Sequence, residues 1–146
     1  MGKEKIYFFE EEIEFIIPDK KGTRDWIREI INSENKLLGE LNFIFCSDKY
    51  LLDINVKYLK HNFLTDVITF DLSENSNILS GDIFISIDRV KENAHSFKSN
   101  FIIELRRVMC HGLLHLIGYN DKTSEEEVII RQKEDYYLSL LPNFIR

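Results

Sequence analysis

Two histidines four residues apart occur in the stretch His111-Gly-Leu-Leu-His115-Leu-Ile-Gly118-Tyr-Asn-Asp121. On an α-helix, positions i and i+4 project from one face about one turn apart, so both imidazoles can reach a single cation. Gly118 follows His115 by three residues, where a left-handed C-terminal cap would end the helix and reverse the chain, carrying Asp121 back toward the pair. Two neutral imidazoles and one carboxylate suit Zn²⁺. Three protein ligands leave the fourth position to a water molecule, which is the layout of a catalytic site, since structural zinc sites usually close with sulfur. Two histidines at this spacing on an apolar helix are more often packed or capping side chains than ligands, and Gly118 with Asp121 is what tips the reading toward a metal. His61 and His95 have no comparable spacing, and His95 reads as a surface residue.

Those residues need a helix to carry them and a sheet to hold the helix. The segment from Phe101 to Ile117, started by Ser99-Asn100, is too apolar to lie on a solvent face and is expected to be the central helix. Before it, Ile6 to Phe9 and residues 13–17 look like strands around the acidic run Glu10-Glu-Glu12, and Pro18 to Gly22 reads as a turn. Trp26, Ile27, Ile30 and Ile31 fall at helical spacing, predicting a helix over about 23–35, and Leu41, Phe43 and Phe45 alternate as a strand. Ser47 or Asp48 caps a helix running to about Tyr58. Val67, Ile68 and Phe70 form a strand, residues 73–80 a polar loop, and Gly81-Asp-Ile-Phe-Ile-Ser86 a second strand, which together predict a hairpin. A helix over about 88–97 precedes the central one, and Ser124-Glu-Glu-Glu127 is read as the capping box of the last, whose end is docked by Leu138, Leu140 and Leu141. The expected fold class is α+β: a single mixed sheet packed with helices around a central metal-bearing helix, in one domain spanning residues 1–146, with a metzincin-like metal site.

Composition agrees with one folded unit. A chain of 146 residues buries about 68–70% of its extended surface on folding, so a metal is not needed merely to hold it together. No apolar run reaches the roughly 18–20 residues that span a bilayer, and the N-terminus lacks a signal peptide's apolar core. A cytoplasmic protein with no membrane partner is expected. Cys46 and Cys110 form no CxxC pair and read as reduced core thiols. A formal charge of −6 disfavours non-specific binding to nucleic acid over the whole surface, so an RNA partner must meet a local basic patch.

The spacing also matches the zinc-binding stretch of metzincin proteases, H-E-x-x-H-x-x-G-x-x-H, with Gly112 in place of the Glu and Asp121 in place of the last His. In those proteases the Glu is the general base, so Gly112 leaves the ligand set without the proton shuttle of peptide hydrolysis. A metalloprotease is therefore the disfavoured alternative.

More specifically, His111 to Asp121 resembles the H-G-x-L-H-L-x-G-Y-D-H signature of the YbeY family of bacterial metal-dependent endoribonucleases, matching at HGxLHL and GY. The resemblance continues through Leu52-Asp-Ile-Asn55 and Tyr58, Thr65-Asp-Val-Ile-Thr-Phe70 and Gly81-Asp-Ile-Phe-Ile-Ser86, and covers about residues 42–134. It implies a hydrolase cutting single-stranded RNA, active in 16S ribosomal RNA 3′-end maturation and ribosome quality control, with ribosomal RNA and the small ribosomal subunit as partners. It places the metal on His111, His115 and Asp121, which stands where the family has a third His. Zn²⁺ is expected, with Mn²⁺ or Ni²⁺ as alternatives, and catalysis would run through the water these residues hold on the metal. The family's Arg after the Tyr of its YR segment is Leu59 here, and Lys60 and His61 are the neighbours that could take its role. Lys57, Lys60, His61, Arg106 and Arg107 are the candidate RNA contacts, each to be weighed against an ordinary solvated or ion-paired side chain. Asp66 and Asp82 could orient a ligand histidine by hydrogen bonding, or cap a strand end. The second alternative is a non-catalytic ribosome-assembly factor whose ion only stiffens the helix turn.

Overall fold

The computed structural model describes residues 5–145, so residues 1–4 and 146 of the expected domain, and the start of the N-terminal stretch expected to lack a signal peptide's apolar core, lie outside the described part. In chain order the elements are β1 (Ile6–Glu11), α1 (Lys20–Ser33), β2 (Leu37–Cys46), α2 (Asp48–Leu59), β3 (Val67–Asp71), β4 (Ile78–Ser86), α3 (Ile87–Ser96), α4 (Phe101–Ile117) and α5 (Ser124–Ser139), closed by a 3₁₀ turn (Leu141–Asn143). The strands form one mixed sheet in the order β1-β2-β4-β3. β1 runs parallel to β2 and β2 to β4, while β3 and β4 are the expected antiparallel hairpin. This is the α+β arrangement that the sequence predicts. No helix among the described residues is long and apolar enough to cross a membrane.

α4 is the helix about which the core is built. Leu105, Met109, Cys110, Leu113 and Leu114 are each at most 1% exposed and join Phe43, Ile83 and Ile85 of the sheet and Trp26, Ile27 and Ile30 of α1 in one cluster. Gly112 lets α4 approach the hairpin: a Cβ there would stand 2.9 Å from Ile83 Cγ2 and 3.1 Å from Val67 Cγ2. Both cysteines are free and buried, as expected, and burial pushes the Cys46 thiol up to about 12 and that of Cys110 also upward.

Three local expectations are corrected. Residues 13–17 are not a strand, because Glu12 takes a positive φ of 55° and turns the chain off the sheet. Ile17 is buried by packing instead, at 2% exposure, and the half-buried Phe15 lies edge-on to Phe45 and Phe101, while Ile16 faces solvent. α1 begins three residues earlier than its apolar period implies, since the Asp19 carboxylate accepts from Gly22 N at 3.0 Å and caps it. The capping box of α5 is Thr123 with Glu126, one residue before the pair read from the sequence: Thr123 N donates to Glu126 Oε1 and Glu126 N to Thr123 Oγ1, both at 3.1 Å.

Candidate metal centre

α4 ends as its sequence requires. Gly118 has φ 127°, a value that favours glycine, and its N–H donates to Leu114 O and His115 O, both at 3.1 Å, while Tyr119 N donates to Leu114 O at 3.0 Å. Five residues later the capping box opens α5. Asp121 thus sits in a short turn fixed at both ends. A third anchor lies beneath it: Tyr119 Oη donates to Glu34 Oε1 at 2.7 Å, and the other oxygen of Glu34 accepts from Lys133 Nζ at 3.1 Å and from Tyr137 Oη.

The turn brings three donor atoms together. His111 Nε2 and His115 Nε2 are 2.9 Å apart, and Asp121 Oδ2 is 3.2 Å from each. Among the described residues these three form a group able to hold a metal ion. The edge of a tetrahedron with metal–ligand bonds of about 2.0–2.1 Å is about 3.3 Å, so the triangle matches one face of a zinc coordination shell. The donor chemistry agrees. Glu134, from α5 and 4% exposed, has its Oε2 2.5 Å from His111 Nδ1, which draws the imidazole proton to Nδ1 and leaves Nε2 as a lone pair. Two lone-pair atoms, on His111 and Asp121, then face a single His115 nitrogen that can carry one proton at most; a cation satisfies all three. Burial alone would lower the His111 pKa, but the hydrogen bond and charge of Glu134, with Asp121 and Asp66, hold it above its ordinary value.

A cavity of about 270 Å³ opens beside the triad, bordered by His111, Asp121, Asp66, Glu104, Arg107 and Arg131 among others. Of the sequence-predicted residues, Arg107 belongs to it, donating to Glu134 Oε1 at 3.0 Å and to Asp135 Oδ1 at 2.9 Å. Arg106 does not. It is 2% exposed, donates to Thr23 Oγ1 at 2.6 Å and Pro18 O at 3.0 Å, and burial pushes its guanidinium down to about 10; its place is the core. Asp66 borders the cavity, where burial pushes its carboxyl upward; it accepts from Asn93 Nδ2 at 3.2 Å, and its field reaches His111 without a hydrogen bond to the triad. Asp82 is turned away. Its neighbour Gly81 faces Leu116 of α4, so the alternation of β4 places Asp82 on the opposite face of the sheet, where it accepts from Asn42 Nδ2 at 2.9 Å. Lys57, Lys60 and His61 are exposed at the end of α2 and in the following loop, outside the cavity, with the His61 ring stacked on Phe63 at 5.2 Å between centroids. Glu134 escaped the sequence reading. Its signal was its helical register with Ile130 and Tyr137, which marks it as an acid on the buried face of α5.

The whole arrangement has known relatives. The family model described as Endoribonuclease YbeY matches residues 8–142. An endoribonuclease YbeY of Amoebophilus asiaticus is 49% identical over 138 residues, 94% of each chain. One from Karelsulcia muelleri is 57% identical over 116 residues, 80% of this chain and 82% of its own. A protein of Thermotoga maritima known by solution structure superposes with a TM-score of 0.65 at 26% identity, over 93% of this chain and 88% of the other. With a family model spanning nearly the whole chain and relatives at this level of identity, the chain belongs to the endoribonuclease YbeY family.

Proposed function

We propose that this chain is a metal-dependent endoribonuclease that cuts single-stranded RNA in the cytoplasm, serving 16S ribosomal RNA 3′-end maturation and ribosome quality control, with the small ribosomal subunit as its partner. His111, His115 and Asp121 hold one divalent cation in a metzincin-like arrangement, Zn²⁺ in first place and Mn²⁺ or Ni²⁺ after it. The observation that carries this reading is the convergence of two imidazole nitrogens and one carboxylate oxygen within 3.2 Å of one another, beside a cavity. When bound, such a cation polarises a phosphoryl oxygen and lowers the pKa of a coordinated water from 15.7 toward about 7.

The chain's own residues do the rest. Glu134 keeps the His111 proton on Nδ1, so that Nε2 faces the site as a lone pair. Arg107 fixes Glu134 in turn and adds positive charge at the cavity wall. Gly112, in the place of a protease's catalytic Glu, is packed against Ile83 and Val67, so position 112 directs no side chain at the cavity. That packing disfavours peptide hydrolysis. Lys57 at the end of α2 and Lys60 and His61 on the loop that leads into Asp66 are all exposed, and the three would meet RNA strands leaving the cavity.

Incubation of the protein with a single-stranded RNA and with casein, each with and without chelator, tests the reading. Loss of RNA only in the absence of chelator, with casein intact, is the expected result. Casein cleavage, or RNA loss that persists in chelator, overturns it. His115→Ala separates the enzyme from an assembly factor: the folded variant is expected to lose RNA cleavage, and undiminished cleavage would count against the metal site.

A further inference from the structure

We propose that Arg131 is the side chain that grips a phosphate of the RNA beside the triad, an inference that rests on the ribonuclease reading above. The cavity is bordered by the acids Asp66, Glu104, Asp121, Glu127 and Glu134, a lining that repels a phosphodiester unless positive charge offsets it. Two arginines border the same space. The guanidinium of Arg107 is committed to Glu134 and Asp135. Lys133, on the same helix, is committed to Glu34. Arg131 has no hydrogen bond or ion pair with any described residue, although it lies one helical turn before Glu134 and borders the cavity that holds His111 and Asp121.

An exposed arginine that stands among five carboxylates and pairs with none of them keeps its five N–H donors available. Its charge reaches into the cleft all the same, since it is one of the two cations that act on the buried carboxyl of Glu104. The planar fork of a guanidinium matches two oxygens of one phosphate, which an ammonium cannot do. The exposed cations of the Lys57 to His61 segment do not border the cavity, so Arg131 is the uncommitted cation at the place where the chemistry would occur. The bland alternative is a solvated side chain on the surface of α5, neutral to RNA, and the test decides between the two.

Four proteins are compared on a short single-stranded RNA of mixed sequence at several salt concentrations: wild type, Arg131→Ala, Arg131→Lys and the surface control Lys21→Ala. Arg131→Ala is expected to lower kcat/KM roughly tenfold or more, chiefly through KM, as loss of a charge-assisted contact should. Arg131→Lys should recover part of the loss. The slope of log(kcat/KM) against log salt should become shallower by about 0.7 in Arg131→Ala, the value for one phosphate contact on a single strand, and stay unchanged in Lys21→Ala. Equilibrium binding of a 2′-O-methyl RNA of the same sequence reads the same change of slope without relying on cleavage. Equal melting temperatures for all four proteins would set aside a folding defect. If Arg131→Ala binds the 2′-O-methyl RNA with wild-type affinity and salt slope, the inference is wrong whatever the activity. If wild type cleaves no RNA with metal while the slope still changes, it is the ribonuclease reading that fails.

Discussion

Oε2 of Glu134 lies 2.5 Å from Nδ1 of His111, joining two helices across 23 residues of sequence. α5, which contributes no residue to the triad, therefore sets the tautomer and orientation of a triad histidine on α4. Arg107 donates to the other oxygen of the same carboxylate, so the acid cannot rotate away from the imidazole. Glu134 is thus held from both ends in a nearly solvent-free position, 4% exposed.

Glu134→Gln keeps the shape of this contact and removes its charge. Loss of such a partner behind a ligand histidine typically costs 10–100-fold in metal affinity. Competition with a chromophoric chelator should show zinc affinity falling by about that factor, with His111 and His115 both still present. Wild-type affinity in the variant would mean that the contact is structural and does not tune the metal.

Metal binding should also be visible as stability. A ligand that binds only the folded state at 100 times its Kd adds about 2.7 kcal/mol. At roughly 2–4 °C per kcal/mol for a chain of this size, zinc should raise the melting temperature of the wild type by about 5–10 °C. His115→Ala should melt near the metal-free wild type and respond to zinc by less than about 2 °C. A full zinc response in that variant would move the binding site elsewhere.

Much of this was legible in the sequence because it is local. The pairing of His111 with His115, the Gly118 cap and the hairpin all depend on neighbours within a few residues, where period and turn chemistry apply. Arg106 and Arg107 are both candidate RNA contacts in the sequence reading although their helical register differs: Arg107 stands four before His111 and shares its face, whereas Arg106 is in register with Met109, Cys110 and Leu113, the buried stripe. What the sequence did not show depends on how distant helices dock. Nothing near Glu34 marks it as the residue that receives Tyr119, Lys133 and Tyr137, because those bonds span 85 to 103 residues. Asp82 was misplaced for a related reason, since a strand's alternation says which residues share a face but not which face meets α4.

Gly112 gives a prediction about why the protease motif is broken. Gly→Ala in a helix interior ordinarily gains about 1 kcal/mol of propensity. Here the new methyl would stand 2.9 Å from the Cγ2 of Ile83, a fully buried residue of β4 with little freedom to move. Overpacking of this kind costs about 1–3 kcal/mol, so Gly112→Ala should come out net destabilised by about 1 kcal/mol in urea unfolding. Gly112→Glu should be worse and should confer no casein cleavage, because the side chain enters the contact between α4 and the hairpin. A stable Gly112→Glu that cuts casein would refute this account of the position.

The Glu34 network ties acid stability to the turn that carries Asp121. Burial alone would raise the Glu34 carboxyl, but donation from Tyr137, Tyr119 and Lys133 outweighs it and holds the carboxyl below its ordinary range. A carboxyl whose pKa is lower folded than unfolded contributes stability that is complete above the unfolded value and disappears as pH falls through the folded one. The contribution of Glu34 is therefore present at neutral pH and is lost progressively below about pH 4.3. Glu34→Gln should lower stability at pH 7 by about 1–3 kcal/mol, the usual cost of breaking a buried charged hydrogen-bond set, and the gap from wild type should narrow as the solution is acidified below pH 4. Because Tyr119 stands two residues before Asp121, the variant should also bind zinc more weakly at neutral pH. Urea unfolding at a series of pH values, paired with chelator competition at pH 7, measures both effects. A stability gap that stays constant down to pH 3 would show that the charge of Glu34 is not what holds the turn.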